Sequence, residues 1–124
     1  MTIDPTAPLT GGQLRAALSD AVVQLMHQHY GKGPTKAKTY LFDNYVFVVL
    51  QDMLTTSEQT LVERGRGDLV REFRLAFQQE MRGLFTAAVE RLTGRHVLGY
   101  HSQVVFEPPL GFEIFVLEPQ EGEA

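Results

Sequence analysis

Cysteine is missing from this chain of 124 residues, and its absence excludes a disulfide framework, a thiolate zinc site and a cysteine nucleophile. That fits a reducing cytoplasm. Long apolar runs are missing too. Stretches such as Tyr45 to Leu50 fall far short of the roughly 20 residues a spanning helix needs, so any membrane role is expected to be peripheral. The opening residues, Met1-Thr2-Ile3-Asp4-Pro5, lack the basic and then apolar pattern of a secretory signal, and a cytoplasmic location is expected. There is no excess of positive charge either. Lys and Arg number 11 against 15 Asp and Glu, for a net charge of -4. Nucleic-acid binding is not expected, because duplex affinity rests on many cationic contacts to phosphates.

Lysine is scarce, and its placement is informative. All three lysines fall within Lys32-Gly33-Pro34-Thr35-Lys36-Ala37-Lys38, and every other basic residue is an arginine. This window lies inside Ala21 to Phe42, which holds no Asp or Glu. An acidic chain therefore carries one concentrated positive loop. From Glu107 onward the charge is reversed, with Glu107, Glu113, Glu118, Glu121 and Glu123 and no basic residue; this stretch reads as a solvated acidic end.

The composition, 44% hydrophobic and 21% charged, is that of a folded globular chain, and the length suits one domain. Pro5 and Pro8 make residues 1–9 a flexible lead-in; the domain spans 10–119, and 120–124 form an acidic tail. Thr10 to Gln13 has capping-box spacing, and the apolar residues from Leu14 to Met26 predict a helix over Gly11 to Tyr30, ended by Gly31 and Pro34. Thr39 to Phe42 and Tyr45 to Leu50 predict a hairpin turning at Asp43-Asn44. Thr55-Thr56-Ser57-Glu58 opens a short helix to about Glu63, and Gly65-Arg66-Gly67 breaks it. A long helix then runs from Asp68, its expected N-cap, to Thr93, with Leu69, Val70, Phe73, Phe77, Met81, Leu84, Ala88 and Leu92 on its apolar face and Phe85 and Leu75 toward the flanks. At about 39 Å it outreaches a strand, so it must kink near Gly83 or pack its end on another subunit. Val97 to Phe106 and Phe112 to Leu117 predict a second strand pair. The order α-ββ-α-α-ββ implies an α+β two-layer sandwich: a four-stranded, mainly antiparallel sheet packed by two main helices.

Few residues carry visible chemistry. Gly31 to Lys36 mixes glycine, lysine and threonine, but a helix ends there and a strand begins, the reverse of a phosphate-binding loop. Lys36 and Lys38, two apart on an extended segment, should share a face. Arg66 and Arg71 flank the start of the long helix, where exposed amides favour an anion. His27 and His29 lie about 200° apart around a helix, and His96 and His101 differ by five along a strand, so no metal site is expected. Tyr100-His101-Ser102 has no defined supporting acid. No cofactor and no catalytic residue are expected.

The segments Tyr30-Gly31-Lys32-Gly33-Pro34-Thr35-Lys36-Ala37-Lys38-Thr39-Tyr40, Thr55-x-x-Glu58, Gly67-Asp68-Leu69-Val70-Arg71-Glu72, Leu92-Thr93-Gly94 and Glu113-Ile114-Phe115-Val116-Leu117 resemble the bacterial MpsC-like family over residues 14–119. The resemblance implies an accessory to a sodium-translocating, membrane-potential-generating system whose membrane partners are linked to inorganic carbon supply. It supplies no catalytic residue. The combined expectation is a non-enzymatic binding or regulatory subunit, homo-oligomeric with a dimer favoured. It would hold a small anion or an acidic partner, such as a membrane transport protein, through Lys32, Thr35, Lys36 and Lys38, assisted by Arg66 and Arg71. The alternatives are a small enzyme acting on a phosphorylated or carboxylated metabolite, with His101 as general base, and a purely architectural oligomer.

Overall fold

The structure, a computed structural model, describes residues 10–120; the expected lead-in and the tail beyond residue 120 lie outside them. Helix α1 spans Gly11–Leu25 and turns Leu18 and Val22 inward. It continues into a widened π-helical turn, Met26–Tyr30, which Gly31 ends at φ 90°, a conformation that costs glycine little. The expected capping box at its start is absent, because the Thr10 side chain caps nothing. Gly11 enters the helix at φ 57°, so the chain arrives from a direction that does not aim the hydroxyl at the third amide. At the second site the motif is complete: Thr55 and Glu58 exchange both hydrogen bonds at the head of α2, Thr56–Glu63.

Four strands follow the expected pairing. β1 (Lys36–Phe42) and β2 (Tyr45–Gln51) form a hairpin, and so do β3 (Val97–Val105) and β4 (Leu110–Leu117). The sheet order is β1-β2-β4-β3, antiparallel throughout. Asp43 takes the positive φ that the tight turn between β1 and β2 requires. α1 lies over β1, α3 (Gly67–Thr93) lies over β3, and the two helices touch, so both cover the same face of the sheet. Between the layers, Leu18, Val22 and Met26 meet Val46, Val48, Leu50, Phe115 and Leu117.

The long helix does not take the kink that was one of the two solutions expected for it. It runs unbroken past Gly83, about 40 Å at 1.5 Å per residue. Its overhanging first half is covered from within the chain: α2 packs on it, and Val70 joins Leu54 and Val104 in a second small core. The buried face also differs from the expected one. Val70, Met81, Phe85, Ala88 and Val89 are buried, whereas Leu69, Phe73 and Leu84 are exposed. Phe85, expected on a flank, lies over the sheet against Tyr100, with ring centroids 6.0 Å apart. Phe85 and Val89 pack into the main core with the inner face of the sheet, so the residues that face the sheet set the buried stripe.

Candidate functional site

Three segments far apart in the sequence meet at one end of the sheet. Tyr30 closes the π-helical turn and sets its ring edge-on to Phe77, 4.9 Å between centroids. Its hydroxyl donates to Glu58 Oε2. Arg74 reaches over from α3. Its Nε donates to Glu58 Oε2 and its Nη2 to Oε1, both at 2.8 Å, and Nη2 also donates to the Met53 carbonyl at 2.7 Å. The guanidinium lies 4.6 Å from the centre of the Tyr30 ring. With the Thr55 amide donating at 2.9 Å, the Glu58 carboxylate is saturated. Burial pushes its pKa up, but the hydrogen bonds from Arg74, Tyr30 and Thr55 prevail and hold it below the usual carboxylate range. Burial, with the Glu58 carboxylate beside it, raises the Tyr30 hydroxyl well above the ordinary phenol. Such a pair is poised to stay ionised and un-ionised respectively; it ties elements together and has no free lone pair to abstract a proton.

This knot fixes the loop between α1 and β1. Lys32 Nζ donates to the Leu54 carbonyl at 2.6 Å. The Thr35 amide donates to the Gln51 carbonyl at 3.1 Å, and its hydroxyl donates to the Asp52 carboxylate. Lys32 and Thr35 therefore spend their polar groups within the chain. Lys36 and Lys38 do not. Both are exposed on the outer face of β1, as the alternation along a strand requires. Neither forms an ion pair among the described residues; Lys38 instead lies 5.0 Å from the centre of the Tyr40 ring.

A family model described as the Na+-translocating membrane potential-generating system (MpsC) matches residues 10–119. The chain belongs to this family. No curated protein and no solved structure matches it. The MpsC match spans every helix and strand, including the knot and the lysine row. Among the described residues no helix is long and apolar enough to cross a membrane.

Arg66 and Arg71 sit elsewhere. Arg71 donates from Nη1 to the Val104 carbonyl at 3.2 Å and lies over the Phe106 ring, beside β3. β1 and β3 are opposite edges of the sheet, about 14 Å apart at normal strand spacing. The two basic groups thus do not converge in this chain. Arg66, not Asp68, is the N-cap residue of α3. Asp68 lies one residue inside the helix and pairs with exposed Arg66 at 3.2 Å. Each shifts the other toward its charged form, chiefly through their hydrogen bond. Gly67 between them is required by closeness: a Cβ there would stand 2.7 Å from the Phe106 ring.

The histidines stay dispersed, and among the described residues no three metal-ligating side chains gather. His96 faces Glu90 at 3.5 Å, and His101 is exposed on the outer face, opposite Ile114.

Glu113 belongs to the stretch expected to form a solvated acidic end, and the structure corrects that expectation: it is a buried inner-face residue. Tyr100 donates to its Oε2 at 2.9 Å, and Ser102 is its partner on β3. Burial pushes the carboxyl up to about 7, against the pull of Ser102, Tyr100 and more distant Arg74. Burial also raises the Tyr100 hydroxyl, with Glu113 adding to the effect. The signal was available: on a strand, Glu113 shares a side with Phe115 and Leu117, and period two buries all three.

Proposed function

We propose that this MpsC-family chain is a non-enzymatic accessory subunit of a membrane ion or inorganic-carbon transport system, and that it holds an anionic group or acidic partner through Lys36 and Lys38. One observation carries this reading. The two lysines stand in a row on the outer face of an edge strand, exposed and, among the described residues, without a carboxylate partner. The loop leading to them is anchored by Lys32, Thr35 and the Glu58 knot. Anchoring lowers the ordering cost of binding. The family description supports the membrane-system context. Arg66 and Arg71, on the other edge, would contact a different part of a large partner or none of it.

The enzymatic alternative gains nothing from the geometry. Glu113 faces Tyr100 and Ser102 inside the core, while His101 points outward, so among the described residues no carboxylate orients that imidazole as a general base requires.

The test is purification of the tagged chain from membrane and soluble fractions of its native cell, beside a Lys36→Ala, Lys38→Ala variant. Recovery of an integral membrane protein by the unsubstituted chain alone is the expected result. Equal recovery by both, or none from membranes, overturns the proposal.

A further inference from the structure

Among the described residues no helix lies on the outer face of the sheet. Its register sets out a grid of side chains. Lys36, Lys38, Tyr40 and Phe42 on β1 stand beside Gln51, Val49, Phe47 and Tyr45 on β2. These in turn stand beside Leu110, Phe112, Ile114 and Val116 on β4, and β3 adds Val105, Gln103 and His101. An antiparallel sheet with one solvated face alternates apolar-in and polar-out. Here the two central strands are apolar on both faces: every outward position of β2 and β4 except Gln51 is aliphatic or aromatic. Tyr40, Phe42 and Tyr45 are each more than 40% exposed. A contiguous patch of this kind marks an interaction surface.

We infer that this face is the seat of a second copy of the chain, packed sheet on sheet. Charge decides the occupant first. The grid contains two lysines and no carboxylate, and the lysines occupy one end of one edge strand. A two-fold interface sets a surface against itself. Turning this grid over along the strands brings Lys36 and Lys38 against Val105 and Gln103 on β3; turning it across them brings the lysines against Tyr40 and Phe42. In neither case does a lysine meet its own copy, and in the second a cation meets an aromatic face, which is attractive. Lysines at such an edge keep their ammonium groups in water while their stems lie along the apolar surface.

Size decides next. Four strands by four outward positions cover roughly 500 Å² in projection at normal strand spacing and rise, and more with side-chain relief. That approaches the ~800 Å² per partner of a standard interface. Of the other exposed apolar residues, Leu98 lies on the edge strand β3, 66% exposed, and the rest, on α3, border three separate hollows. Leu69 and Phe73 border a hollow of about 310 Å³ above the Glu58 knot, Leu75 lies by Gln78 and Ser102, and Leu84 lies by α1. The second copy and an acidic partner can share this face where the lysine ammonium groups stay at the rim of β1, as they do when the grid is turned along the strands.

Sedimentation equilibrium of the full chain at tens of micromolar tests it. A mass twice the 13.9 kDa of one chain is expected, falling to a single chain in Ile114→Lys. Should Ile114→Lys lose its circular dichroism, Val49→Lys on β2 replaces it. Leu75→Lys and Leu84→Lys should stay dimeric. Because the chain has no cysteine, single cysteines give a second reading: a bis-maleimide with a spacer arm, able to bridge sheets about 10 Å apart, should join Phe112→Cys to its copy and should not join Leu84→Cys. A monomeric unsubstituted chain overturns the inference, as does a dimer broken only by the helix substitutions or a lack of cross-linking at Phe112→Cys.

Discussion

Glu58 and Glu113 are both carboxylates buried in this fold, at 6% and 5% exposure, yet their surroundings drive them in opposite directions. Glu58 faces a guanidinium in two-pronged contact, a phenol and a backbone amide, and stays ionised. Glu113 faces hydroxyls, and its pKa climbs to about 7. Burial is the largest influence on both. What separates them is one full positive charge within hydrogen-bonding distance, because only a charge or several donors together offset the cost of removing a carboxylate from water.

The sharpest way to break the comparison is to remove that charge. Arg74→Met should destabilise the fold by about 3–5 kcal/mol, because it strands the Glu58 carboxylate; urea denaturation at pH 8 would show it. A double variant, Arg74→Met with Glu58→Gln, should recover a large part of the loss, since the uncompensated charge is gone. Arg74 also draws Glu113 downward, so its loss should move both acids the same way.

The second effect is one of pH. Glu113 has a folded pKa above its ordinary 4.5, so the folded state holds the proton more tightly than the unfolded chain. Its stabilising contribution is complete below about 4.5 and is lost as pH rises to about 7. A difference of that size amounts to about 3 kcal/mol. Glu58 has the opposite sign: its contribution is present above the ordinary carboxylate pKa and is lost as pH falls through its lowered one. Glu113→Gln should therefore remove the decline between pH 4.5 and 7 and leave the acid limb intact, as thermal melts across pH would reveal.

Smaller changes sharpen the contrast. Tyr100→Phe deletes one of the few donors to Glu113 and should cost about 1–2 kcal/mol at pH 8, less at pH 5 where the carboxyl is protonated. Tyr30→Phe leaves Glu58 with Arg74 and Thr55 and should cost about 1 kcal/mol with little dependence on pH over the same range. Smallest of all, Lys36→Ala with Lys38→Ala touches neither acid and should shift stability by less than about 0.5 kcal/mol while removing the proposed partner contact.

Much of the fold was legible because it rests on local signals. Asp43-Asn44 turns the first hairpin and Thr55 with Glu58 caps α2, since both depend only on residues within a few positions. Thr10 carried the same spacing without forming a cap, because the backbone at Gly11 redirects the chain. For the candidate site, alternation placed Lys36 and Lys38 on one face. It could not show that Lys32 and Thr35 spend their polar groups on Leu54 and Asp52, contacts that cross 22 and 17 residues of chain.

The sequence by itself determined the elements, their order and the concentration of lysine at the start of β1, because periodicity, caps and turn chemistry act over a few residues. Tertiary structure alone decided that Arg74 would find Glu58, that β1 and β3 would become opposite edges and keep Arg71 from the lysines, and that a second small core would cover the overhang of α3. Those outcomes depend on which strand enters the middle of the sheet and which side chains then meet across it.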